Sequence, residues 1–180
     1  VRSLEEVDQL RARLLDAVRA HPEHVGNEVR TPGGSWTPVQ VLQHLLLVES
    51  LILSGLHRDA GSDRETTGRT LRDQVGAFAV SLVFLLRIRV RMPTRRVDPV
   101  PPLSFAEVEE RWRVVGSELA IRLREAAART PGHAVLRHPV AGPLSPVETA
   151  DFLVKHMRHH ERQLHRILGA RDANPSTRPG

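Results

Sequence analysis

Two histidines four residues apart, His156 and His160, lie in a stretch where Phe152, Leu153, Leu164 and Ile167 repeat at helical spacing. On a helix, residues at i and i+4 leave the same face with their Cβ atoms about 6 Å apart, so both imidazoles can converge on one ion. The spacing by itself also suits solvated or capping histidines, in a segment that carries His159 and His165 as well. The apolar neighbours favour the ligand reading. Two imidazoles buried side by side lose hydration and crowd each other, whereas a shared metal ion satisfies one nitrogen on each. His44 is the natural third ligand, since it sits inside an apolar helix with Val41 and Val48 a turn away on either side. A core histidine bonded to a backbone carbonyl or to Glu49 is the other reading of His44. Three histidine ligands leave at least one position for water, the arrangement of a catalytic rather than a structural ion.

Around this set, Glu49 and Gln163 are candidates to orient a ligand or the ion's water, with surface or interhelical polar contacts as the alternative. His138 precedes Pro139 in a loop that could close over the end of the bundle, or it could simply be solvated. His159 points about 100 degrees away from His160 and reads as a surface group. Trp36 reads as a staple packing its loop on the following helix, and Trp112 as core. With no cysteine there is no disulfide, thiolate ligand or cysteine nucleophile, so a metal must be held by imidazole and oxygen.

The elements that must position these residues follow from apolar periodicity. Leu4, Val7, Leu10, Leu14 and Val18 form one stripe that ends at His21-Pro22. Thr37-Pro38 reads as an N-cap with proline at the first helical position. The helix that follows, Val39 to about His57, is apolar on more than one face and belongs at the centre of the packing. A further helix is expected over about Leu71 to Arg89, its distal end alternating arginine and apolar residues as a short strand also would. Residues 95–102 are proline-rich and read as a crossing loop. Ser104 and Glu107 make a capping box before the stripe Phe105, Val108, Trp112, Val115, Leu119 and Leu123. Pro131-Gly132 ends that helix, and Ser145-Pro146 with Glu148 starts the last one, which runs to about Leu168.

Four strong stripes joined by connections too long for a simple meander predict an all-α domain, a four-helix bundle with crossover connections and an additional helical segment. The expected domain covers residues 1–170. Residues 171–180 lack an apolar anchor and are expected to be disordered. Leu14, Leu45, Trp112 and Leu164 should share one core.

At 180 residues the chain is long enough for a self-sufficient core. The apolar run near Leu82 to Leu86 is too short to cross a bilayer, and no signal-peptide pattern is visible, so a soluble cytoplasmic protein without a membrane partner is expected. Lys155 is the only lysine, and arginine supplies the rest of the basic charge. The net charge of +5 favours solubility more than nucleic-acid binding. The arginines between Arg87 and Arg96 lack interleaved aromatics and read as a solvated edge.

Trp36-Thr37-Pro38, then Val41-Leu42-Gln43-His44-Leu45 and Glu49, resemble the first signature of the DinB-like, YfiT-type metalloenzyme superfamily. His138-Pro139, Gly142-Pro143-Leu144-Ser145 and then His156, His160 and Gln163 resemble its second, in the branch with a histidine-proline loop before the last helix. The resemblance covers roughly residues 4 to 168. It implies an up-down-down-up four-helix bundle, often a homodimer, with one divalent ion per chain, zinc or nickel, at His44, His156 and His160. Some members are similar to transferases that use a low-molecular-weight thiol as cosubstrate. Two functions are carried forward. One is a metal-dependent transferase or hydrolase acting on a small molecule, with the ion activating a water or thiol. The other is a non-catalytic scaffold or small-molecule binder that keeps the ion for stability.

Overall fold

The structure, a computed structural model, describes residues 2–25, 36–59, 102–138 and 142–172. The apolar stripes become four α-helices: α1 (Arg2–Arg19), α2 (Pro38–Asp59), α3 (Phe105–Arg129) and α4 (Pro146–Asp172). Three of their N-termini are closed by reciprocal side-chain to backbone hydrogen bonds. At α2, Thr37 Oγ1 accepts from the Gln40 N–H at 3.2 Å, and Gln40 Oε1 accepts from the Thr37 N–H at 3.0 Å. Ser104 with Glu107 does the same for α3, and Ser145 with Glu148 for α4. Each box satisfies two of the donors that a helix start leaves without partners, which is why these helices begin where they do.

Side-chain contacts fix the directions. Ser3 bonds Asp151, Glu6 pairs with Arg158 and Arg13 with Glu161, so α1 and α4 run parallel. Gln43 accepts from the Leu103 backbone N–H at one end and His57 meets Glu118 at the other, so α2 and α3 are also parallel. Arg19 pairs with Glu109 while Arg11 lies on Gly116, so α1 opposes α3. The order is therefore up-down-down-up. Two parallel neighbours cannot be joined by a short turn, and the long connection from α2 to α3 follows from that geometry.

Leu14, Leu45, Trp112 and Leu164 lie in one hydrophobic cluster and are each no more than 1% exposed. α2 is central to it. By length and composition its segment Pro38–His57 would suffice to cross a bilayer, but 61% of that stretch is buried inside the protein. A helix packed on several sides has the same composition as one surrounded by lipid, and α2 packs against α1, α3 and α4.

The loop expected before α4 contains a small antiparallel hairpin, β1 (Leu136–His138) and β2 (Gly142–Leu144), with Leu136 opposite Leu144 and His138 opposite Gly142. Gly142 has a φ of 73 degrees, in the left-handed region that a side chain disfavours. Three residues per strand are too few for a period-2 pattern to show in the sequence. α4 continues to Asp172, slightly beyond the expected boundary at 170. The helix expected over Leu71 to Arg89, the arginines from Arg87 to Arg96 and the tail from 173 onward lie outside the described residues.

Candidate metal centre

The α2 stripe turns His44 inward and the α4 stripe turns His156 and His160 toward it. All three are buried, with 3%, 8% and 7% of their surface exposed. Nε2 of His156 lies 3.3 Å from Nε2 of His44 and 3.0 Å from Nε2 of His160. One ring nitrogen from each residue falls within 4.8 Å of the other two. Nitrogens bound to one ion at about 2.0–2.1 Å in tetrahedral geometry stand about 3.3 Å apart, so the two short spacings fit a shared ion without rearrangement of the helices.

The second ring nitrogen of His160 strengthens the fit. Its Nδ1–H donates to Oε1 of Gln163 at 2.8 Å, which selects the tautomer whose Nε2 lone pair faces the other imidazoles. Burial holds His160 neutral, pushing its pKa down to about 3, with the neighbouring His44 adding to the effect. The His156 pKa is likewise driven well below its ordinary value, first by burial and then by the adjoining histidines. Neutral imidazoles are the form that binds a metal. A buried cluster of three ring nitrogens, with the tautomer of one member fixed, could coordinate a divalent ion.

Aromatic rings enclose the cluster. Trp36, just before the α2 cap, lies 4.8 Å from the His44 ring and 6.4 Å from the His160 ring, centroid to centroid. Phe152 stacks on His156 at 5.4 Å, and His138 of β1 lies 5.1 Å from Phe152. Burial lowers the His138 pKa as well. His159 meets the His160 ring edge-on at 5.2 Å and is partly exposed.

Among the expected supporting residues, the structure brings Gln163 to His160 and His138 to the ring beside His156. It brings Glu49 to a different partner. Both carboxylate oxygens of Glu49 accept from the Arg11 guanidinium, at 3.0 and 3.2 Å, and the residue is fully buried. Burial pushes the Glu49 pKa up, against the opposing pull of Arg11 and the Trp112 indole. Trp36 packs on His44 of α2, where the staple reading puts it, and its ring also lies near that of His160 on α4. Trp36 stands in the non-helical segment before Pro38, so helical periodicity did not mark its place beside the imidazoles.

The family model described as DinB superfamily matches residues 6–164, which take in both histidine-bearing segments. The chain belongs to the DinB superfamily. No curated protein and no solved structure matches it significantly. In this DinB superfamily member, the matched span includes every residue of the imidazole cluster and its Gln163 partner.

Proposed function

We propose that this protein is a divalent-metal-dependent enzyme acting on a small molecule, with His44, His156 and His160 as the ligands. The convergence of three buried Nε2 atoms at metal-ligand spacing carries the reading. An ion held there acts as a Lewis acid that lowers the pKa of a water or thiol and polarises an electrophile. Gln163 fixes the His160 tautomer and makes that ring a better donor. Trp36 and Phe152 restrict water around the cluster, which strengthens electrostatic interactions within it. A three-nitrogen set leaves room for an exogenous ligand. Zinc and nickel both suit neutral imidazole donors. The reaction that fits is transfer to or from a low-molecular-weight thiol, or hydrolysis by an activated water. A cytoplasmic homodimer is the working state of this proposal.

The test is elemental analysis and titration of metal-stripped protein, comparing wild type with His44→Ala, His156→Ala and His160→Ala. Wild type should bind close to one zinc or nickel ion per chain. Each substitution should weaken binding by two orders of magnitude or more, beyond the roughly 10–100-fold typical of losing only a ligand's supporting partner. Binding unchanged in all three variants refutes the centre. Full metal loading with no ligand position open to a thiol or water favours the scaffold reading over the enzyme.

A further inference from the structure

We propose that the apolar stripe of residues 71–85 docks in the groove between α2 and α3, running antiparallel to both helices. The occupant belongs to the same chain, and the groove shares no residue with the imidazole cluster.

The groove is apolar and open at the surface. α2 lines it with Leu46 and Leu47, α3 with Val114 and Val115, and Leu103 closes it just before α3 begins, around a volume of about 340 Å³. Val114 is 49% exposed, and Ile121, two turns further along the same face of α3, is 50% exposed. These are two of the three large apolar residues that stand exposed among the described ones. The third, Val147, lies at the start of α4. Apolar surface gathered in this way on one face marks a contact rather than ordinary scatter.

Topology names the occupant. Because α2 and α3 are parallel, the chain leaves α2 at Asp59 at one end of the pair and re-enters at Leu103 at the other, where the Gln43 side chain accepts from the Leu103 N–H. From Asp59 back to the level of Gln43 is about 24 Å along α2. Residues 60–101 have to cover that distance in the direction opposite to both helices. Connections longer than about 12–15 residues without structure of their own are uncommon in compact domains. A helix over 71–85 is about 21 Å long, nearly the whole return path. Its stripe of Leu71, Val75, Phe78, Leu82 and Leu85 steps by four and three, the spacing that seats one helix against others. Between Val75 and Leu86 the only polar side chain is Ser81, and that run is well short of the roughly 20 residues that cross a bilayer, so its cover is protein. The direction of travel also sets the order of contacts. Residues near Leu71 lie beside Ile121, and those near Leu85 lie beside Leu47.

The chain has no cysteine, so introduced thiols are the only labelling sites. Nitroxides are attached to the full chain at Ser117→Cys/Arg72→Cys and, in a second variant, at Ser117→Cys/Arg87→Cys, with the distances read by pulsed electron paramagnetic resonance. The antiparallel seat makes the Arg72 pair shorter by about 10 Å or more, since the two segment positions stand about 20 Å apart along a helix. Equal distances or the reverse order overturn the proposal. Dilution into excess unlabelled chain should change neither distance. A short distance lost on dilution puts a second copy in the groove and overturns the intramolecular seat.

Amide hydrogen exchange tests the groove itself. Amides of residues 75–85 should be protected in wild type, and Val114→Glu should lower their protection about tenfold while α1 and α4 keep theirs. Val147→Glu, at the exposed apolar position outside the groove, should leave them unchanged. Unprotected amides in wild type overturn the docking. Protection that ignores Val114→Glu, or falls equally with Val147→Glu, overturns the assignment to this groove.

Discussion

Two buried polar clusters share helix α2, one on His44 and the other on Glu49, and they differ in whether their members can satisfy one another. Glu49 faces Arg11, which also reaches Asp8 at 2.7 Å and lies over the Trp112 ring at 5.8 Å. Gly116 of α3 makes room for this arrangement, because a Cβ there would come within 2.4 Å of the guanidinium carbon. The charges are opposite and both Glu49 oxygens meet the guanidinium, so the ion pair is matched within the chain, while Arg11 Nε and Trp112 Nε1 beside it are buried with no hydrogen-bond partner. The imidazole cluster brings together groups of one kind. Three imidazoles turned nitrogen to nitrogen offer one another like groups, and a cation in their midst could take one nitrogen from each. Opposite charges pair off within the first cluster, whereas the second gathers like donors that could coordinate a divalent ion.

The largest effect expected from this contrast is on stability at the first cluster. Glu49→Ala leaves the largely buried Arg11 with only the half-exposed Asp8 as its ion partner and should destabilise the fold, by up to roughly 3–5 kcal/mol in urea unfolding. Replacing both members with apolar residues, Arg11→Met/Glu49→Leu, should recover most of that loss. Divalent-ion stoichiometry should stay near one per chain in the double variant. Loss of metal binding there as complete as in His160→Ala would join the two clusters into one site and break the comparison.

A smaller effect is expected from Gln163→Ala, which removes the acceptor for the His160 Nδ1–H. Metal affinity should fall about 10–100-fold while one ion per chain still binds at saturation. Gln163→Glu keeps an acceptor and should retain the affinity. An affinity within twofold of wild type in the alanine variant would mean that Gln163 does not orient the ring.

Much of this contrast is legible in the sequence, and the part that is not has a physical cause. His156 and His160 are readable because the helix itself sets their separation, and His44 because it interrupts an apolar stripe. Arg11 and Glu49 carry the same kind of signal. Arg11 falls four residues after Val7 and three before Leu14, and Glu49 lies between Leu45 and Ile52 at helical spacing. Opposite charges placed inside two apolar stripes point to a buried pair, but their pairing depends on how α1 crosses α2, which periodicity does not encode. Gly116, four residues after Trp112, marks the close approach once that crossing is known. The up-down-down-up order had a local cue in the long α2 to α3 connection, whereas the hairpin at Leu136–His138 had too few residues to declare itself.

The smallest and most gradual effect is the pH dependence of the metal-free protein, and it separates the clusters by sign. The His160 pKa in the folded chain is about 3, against an ordinary value of 6.5, and that of His156 is also lowered. Between those values the unfolded chain binds more protons than the folded one, so stability rises with pH. The His160 contribution is fully present above about 6.5 and is lost as pH falls toward 3, by roughly 1–1.5 kcal/mol per unit, and His156 acts in the same direction. Glu49 acts in the opposite direction. Its folded pKa is raised above 4.5, so the folded chain takes up that proton first and this group favours folding as pH falls. Urea midpoints of metal-stripped protein between pH 7 and 5 should therefore decrease, and His160→Leu should reduce the slope by about one proton, whereas Glu49→Gln should not make it shallower. Adding zinc should move the onset of the loss to lower pH, because protons must then displace the ion as well as enter the core. A flat profile from pH 7 to 5 without metal would mean that His156 and His160 accept protons as readily folded as unfolded, and the distinction between a matched ion pair and a cluster of like groups would fail at its electrostatic root.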